Sequence, residues 1–319
     1  MDSLVLAQIK ENSNINENSN SGDIATIQGF IGKLIDEKYN TSLMYQVAEV
    51  LPIQSSFGSV YASKRNYGTS SFEIVRKDIH TKTYTIDTGY TQEVWQDIQK
   101  LFGKRAIQQS SNILGGLSAE EENYTLINFL FNESLNKPDL EVNVNNSAWV
   151  TSQISMRVAE SVIEMNRFGF KSLDSFCILS PKWASAFLGT ASYVKSDKES
   201  AGGNSTLFVG RYGRTDFYVN PFRNESKMFN SDFNDDYANP NGDSGNRDDY
   251  CYVGLKSSVS GESSVVFSPY LYEGNMVPDP ETGANKLFIY NRYGLTTNPL
   301  HTPIEGKSML HKFLIKEAP

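Results

Sequence analysis

Residues 264–272, Ser-Val-Val-Phe-Ser-Pro-Tyr-Leu-Tyr, and residues 286–293, Lys-Leu-Phe-Ile-Tyr-Asn-Arg-Tyr, decide how this chain is read. Both runs are rich in β-branched and aromatic residues, which pack well on a pleated surface, so each predicts a strand. Between them lies Val277-Pro-Asp-Pro-Glu-Thr-Gly283. Each proline fixes its own φ and pushes the residue before it toward extended backbone, while Gly283 can supply a positive φ, so this segment predicts the turn of a strand pair. No reactive side-chain constellation occurs in the stretch. Its content is structural: strand, turn, strand.

Outward from that pair, composition narrows the function. At 319 residues the chain can bury a large core in one domain or two, and two lobes are expected. No apolar run of about 18 residues predicts a membrane span, and Met1-Asp-Ser-Leu-Val-Leu-Ala-Gln is too short and too poorly flanked for a signal peptide. A cytoplasmic origin is therefore expected. The formal net charge of -8 argues against general nucleic-acid binding, which needs a lysine and arginine surplus to neutralise phosphate. The same balance suits a container for DNA, whose wall should not grip a polyanion that must later leave. Cys177 and Cys251 sit in separate apolar runs and are read as buried free thiols, although counting alone also allows a disulfide.

Enzyme signatures do not emerge. His80, His301 and His311 fall in no nucleophile or metal spacing, no Gly-x-Ser-x-Gly elbow occurs, and Gly210-Arg-Tyr-Gly213 is too short for a phosphate loop. Six aspartates between Asn230 and Asp249 could hold calcium through oxygen ligands, but their spacing makes no EF-hand and a solvated loop is the simpler reading. No catalytic residue, cofactor or metal is therefore expected.

The remaining chain alternates helical and extended patterns. Residues 11–22 are nearly all Asn, Ser and Glu, a composition that cannot offset the entropy of ordering, and read as an arm. Asp23 can cap a helix with Ile24, Ile27, Ile31, Leu34 and Ile35 on one face, and Thr91 opens a short helix carrying Val94, Ile98 and Leu101. Ser118-Ala-Glu-Glu121 reads as a capping box starting a helix through Leu135, with Glu120, Glu121 and Glu122 at its positive end. Val150, Ile154, Val158, Val162 and Met165 predict a third helix. Leu173–Ser180 predicts a strand, Ser180-Pro181 the start of a short helix, Phe208–Phe222 a hairpin, and Ser308–Lys316 a last strand. Between Lys64 and Lys82 five basic residues (Lys64, Arg65, Arg76, Lys77, Lys82) accompany two acidic ones, Glu73 and Asp78, and the alternation of residues 79–86 predicts an exposed ribbon.

Several of these segments resemble, in one order, the major capsid proteins of T-even-type tailed phages. The resemblance rests on Val253-Gly-Leu-Lys-Ser-Ser258, Val266-Phe-Ser-Pro-Tyr270, Asp279-Pro-Glu-Thr-Gly283, Asn291-Arg-Tyr-Gly294 and Asn298-Pro299. Gly58, Val60, Tyr61 and Ala62, where a glycine turn would lead into a strand, extend it toward the N-terminus. Phe176, Ile178, Leu179, Ser180 and Pro181, and the hairpin at 208–222, complete it. It implies an α+β, HK97-like capsid fold with an N-terminal arm and helix (1–46), a strand and extended E-loop (47–90), and a peripheral domain with a spine helix (91–172). An axial domain (173–250) and a peripheral-domain sheet with a C-terminal strand (251–319) would follow.

By the same resemblance the function is structural: self-assembly into hexamers and pentamers of an icosahedral head that encloses double-stranded DNA. Partners would be further copies of the chain and portal, scaffold or decoration proteins, with DNA only as cargo and no membrane. The location would be the virion, with assembly in the host cytoplasm. The E-loop would lie over the neighbouring subunit, its Lys64, Arg65, Arg76, Lys77 and Lys82 meeting Glu120, Glu121 and Glu122, while Ile74, Ile79 and Tyr84 supply apolar contact. A pentamer-forming vertex protein of the same fold is an alternative. An acidic adhesin or glycan-binding β-domain is another, disfavoured by three strong helical patterns in the first 170 residues.

Overall fold

The computed structural model describes residues 42–66, 71–89, 105–144, 147–167, 174–188, 208–220, 250–257, 259–278, 285–303 and 306–318. The predicted helices after Asp23 and Thr91, the turn at 279–283 and the aspartate-rich segment 230–249 lie outside these residues. So does the arm at 11–22.

The two deciding runs form strands longer than expected, β11 (Val265–Pro278) and β12 (Asn285–Thr297), paired antiparallel. Pro269 has no N–H to give the ladder, and the register shifts between Pro269 and Leu271. On one side β11 takes the short parallel strand β1 (Glu49–Val50), and on the other β12 takes β4 (Lys82–Gly89), giving the order β1-β11-β12-β4. A separate hairpin joins β2 (Phe57–Asn66) to β3 (Ser71–His80). Gly58 lies inside β2 rather than at a turn. A Cβ there would stand 2.8 Å from Ile53 Cγ2 and 3.1 Å from Ile79 Cγ2, so the glycine serves close packing.

The second sheet has seven strands. It follows the order β5 (Leu135–Asn136), β13 (Leu310–Glu317), β10 (Tyr250–Leu255), β7 (Ser175–Leu179), β9 (Thr215–Val219) and β8 (Phe208–Tyr212), with β6 (Leu140–Val142) also on β13. Strands β7 and β10 are buried along their whole length. Alternate side chains therefore feed two cores. Cys177, Leu179, Cys251, Val253 and Phe313 face one, and Phe176, Ile178, Tyr252, Tyr218 and Leu310 face the other.

Four helices cover the described sheets. The short α1 (Leu43–Val47) is capped by Ser42, whose hydroxyl accepts the Met44 amide. With α2 (Arg105–Glu133) it packs on the second core, where Leu126, Ile127, Leu130 and Phe131 meet Tyr250 and Phe267. On the first core lie α3 (Ser147–Arg167), through Val150, Ile154, Val158 and Met165, and α4 (Pro181–Leu188), through Trp183 and Phe187. Two segment assignments change in consequence. The helix at 147–167 packs on the sheet of β7 and β10, not with α2. The last strand, grouped by sequence with β11 and β12, hydrogen-bonds β10 from Tyr250↔Leu314 to Gly254↔Leu310. Long-range pairing decided both placements, and periodicity within a segment carries no information about its partner.

Candidate assembly surfaces and family membership

The β2–β3 hairpin has two unlike faces because its side chains alternate. Val60, Ala62 and Ile79 turn inward and are buried, Val60 and Ile79 clustering with Val266 and Leu51. Tyr61 and Ile74 turn outward at 56% and 64% exposure. Arg76, opposite Tyr61 in the register, donates through Nε to Asp78 Oδ1 at 2.7 Å, and Ser59 Oγ donates to the same oxygen at 3.0 Å. These bonds hold the Asp78 carboxyl below its ordinary range.

The basic ribbon expected at 64–82 is therefore smaller in effective charge. Lys77 points inward and donates to Thr297 Oγ1 at 2.6 Å in its own chain, and burial lowers its pKa. Arg76 already has Asp78 as partner. Lys64 and Arg65 stand opposite Glu73 and Phe72 in the strand register, and Lys82 opens β4 opposite Tyr293. Two of the apolar residues assigned to a neighbour also serve their own subunit. Ile79 is buried, and Tyr84 stacks on Tyr293 with ring centroids 4.5 Å apart. Ile74 keeps an exposed face.

The acidic triplet is corrected more strongly. Ser118 does not open a helix, because α2 begins at Arg105 and carries Ser118 buried in its interior. Glu120 is exposed, but Glu121 and Glu122 are buried at 3% and 0% exposure. Tyr293 Oη donates to Glu121 Oε1 and Asn291 Nδ2 to Glu122 Oε1, each at 2.9 Å. The two carboxylates tie α2 to β12 and cannot form an acidic surface for a neighbour. Burial, and secondarily the nearby Glu121 and Glu122, push the phenols of Tyr272 and Tyr293 well above their ordinary value.

The remaining polar candidates are structural. His301 accepts the Met309 amide on Nδ1 and meets the Glu133 carbonyl through Nε2. His311 is fully buried, and His80 lies against the Phe57 ring at 5.1 Å. Cys177 and Cys251 are free, buried thiols with sulfurs 3.4 Å apart, and burial pushes the Cys177 thiol up. Among the described residues no cluster of His, Cys, Asp or Glu could hold a metal, and no helix is long and apolar enough to cross a membrane.

A family model described as major capsid protein Gp23 matches residues 7–313. The chain belongs to that family. It is a structural capsid protein of a tailed phage, a family of shell proteins that assemble with copies of themselves. Its place is the virion. No curated protein matches the sequence. Among solved structures, a virus-like particle from Pyrococcus furiosus is similar at 11% identity and TM-score 0.52, covering 89% of this chain and 98% of that one. The acid-stable capsid of Helicobacter pylori bacteriophage KHP30 is similar at 11% identity and TM-score 0.51, covering 84% and 86%. At that identity the likeness concerns fold, and the fold is α+β and HK97-like.

Sequence reasoning missed two features. One is the buried carboxylate pair. The other is a row of exposed apolar side chains on α3, for which a signal existed in the seven-residue spacing of Trp149, Met156 and Ile163.

Proposed function

We propose that this chain is the principal subunit of an icosahedral head, forming hexamers, with pentamers at the corners, around double-stranded DNA. Assembly would take place in the host cytoplasm. The family match over residues 7–313 carries the reading. The hairpin supports it, since its outer face, with Tyr61 and Ile74 exposed, gains by docking on another subunit. In this assignment the outer face of β2–β3 is the E-loop contact, with Arg76 tuning register and Ile74 supplying apolar area. Lys64, Arg65, Lys82 and Glu120 would act at its margin. The peripheral region comprises α2 with β11 and β12, and the axial region comprises the seven-stranded sheet with α3 and α4. Portal, scaffold and decoration proteins would be the further partners, and no step of the function would be catalytic.

Electron microscopy of the purified protein after assembly tests the reading. Hexameric capsomers or closed shells are expected. Pentamers alone would assign a vertex role instead, and a persistent monomer under all assembly conditions would overturn the proposal.

A further inference from the structure

Helix α3 presents two apolar faces, and its own sheet uses only one. Val150, Ile154, Val158 and Met165 are buried, whereas Trp149, Met156 and Ile163 are 63%, 63% and 61% exposed. Ser152 and Ala159, both exposed, fall between them at helical spacing. The outward row therefore reads Trp, Ser, Met, Ala, Ile without a charge, over about 21 Å of helix at 1.5 Å per residue. An ordinary solvent face would carry charged residues there. Glu160 beside the row is already engaged by Arg157, whose Nη1 lies 3.2 Å from Glu160 Oε2.

We infer that this row docks on a second copy of the chain, against the α4–β8 edge, as a lateral contact within a capsomer. The inference rests on the capsid reading and specifies the surface. Three side chains exposed by about three-fifths leave roughly 350 Å² of apolar surface. That is under half of the about 800 Å² one partner gives to a standard stable interface. Such a patch is too small to hold an isolated pair and suits a ring, where each subunit is held on two sides. A ring of identical subunits needs heterologous contacts, so the patch must meet a different surface of the molecule.

The fold supplies one. Helices α3 and α4 pack side by side, α3 over β6 and β10 and α4 over β7, β9 and β8, and β8 ends the strand order. At that far end Leu188 of α4 is 69% exposed and Tyr212 of β8 is 40% exposed. Arg214, exposed between β8 and β9, gives this edge a basic flank. Helix α3 thus offers an apolar row, and the α4–β8 edge offers apolar anchors with a basic flank.

Two substitution sets and a crosslink test the assignment. Met156→Glu with Ile163→Glu, and separately Leu188→Glu with Tyr212→Glu, should each leave circular dichroism and melting temperature unchanged while abolishing rings and shells. Normal assembly by either variant, in parallel with assembling wild type, overturns the docking surface and leaves the capsid reading intact. Failure of the wild type to assemble overturns both. Should a glutamate variant fail to fold, a photo-crosslinking amino acid at position 156 in the assembled full chain decides alone. Capture of peptides containing Leu188 or Tyr212 from another copy supports the contact. Capture of the same copy, of other peptides or of a different protein overturns it.

Discussion

Replacing His311 with leucine should make the protein markedly less sensitive to acid. His311 is fully buried in β13, and neither ring nitrogen has a hydrogen-bond partner among the described residues. Burial first, then the Lys137 charge, lowers its pKa from 6.5 to about 4, against a smaller opposing effect of Glu164. The depressed value means that the unfolded chain binds a proton before the folded chain does. The resulting stability is complete above about pH 6.5 and drains away as the pH falls toward 4. With those two values the loss at pH 4.5 is about 2.5 kcal/mol. A buried imidazole without hydrogen bonds also costs about 1–3 kcal/mol at neutral pH. His311→Leu should therefore match or exceed wild type at pH 7.5, and lose about 2.5 kcal/mol less on going to pH 4.5. Urea unfolding of the unassembled subunit at both pH values measures this. An equal loss in both proteins would refute the reasoning, because ordinary carboxylates contribute the same background to each. His301, also lowered to about 4 chiefly by burial, should leave the variant with residual acid sensitivity of the same sign.

Other expectations follow from contacts already described. Tyr293→Phe keeps the ring stacked on Tyr84 and removes the bond to Glu121, so denaturant unfolding should show a loss of about 2 kcal/mol. A double-mutant cycle with Glu121→Gln should reveal coupling. Gly254→Ala would place a Cβ 2.5 Å from Phe176 Cζ and 2.7 Å from Ser264 Oγ. Overpacking of that kind costs about 1–3 kcal/mol, read as a lowered melting temperature. Ile74→Asp, at an outward position of the hairpin, should slow assembly followed by light scattering while the subunit's melting temperature stays fixed.

Much of the fold was legible because its signals are local. The β-branched runs at 264–272 and 286–293 became β11 and β12, the four-residue apolar repeat from Val150 became α3, and Ser180-Pro181 opened α4. The misreadings all involve partners distant in the chain. Ser118-x-x-Glu121 has the composition of a helix cap, but the glutamates belong to strand residues Asn291 and Tyr293 about 170 positions later. Lys77 looked like surface charge until Thr297 came within 2.6 Å of its amine. Ile79 fitted an exposed alternating ribbon, and only the arrival of Val266 distinguishes its face from that of Ile74. Local pattern tells which residues share a face, while the neighbouring strand decides whether that face is wet.

The position of β13 has a consequence for how subunits are made. Although it follows every other described strand in the chain, it lies within the seven-stranded sheet, with β10 on one side and β5 and β6 on the other. Residues 135–142 must therefore wait for residues 310–317 before their parallel partners exist. Such long-range closure is slow, and it makes folding depend on late synthesis. A chain broken off before Leu310 lacks Leu310 and Phe313, one from each core. Incomplete products would thus lack the strand that joins β5 and β6 to β10, and the order of translation would itself screen the building blocks.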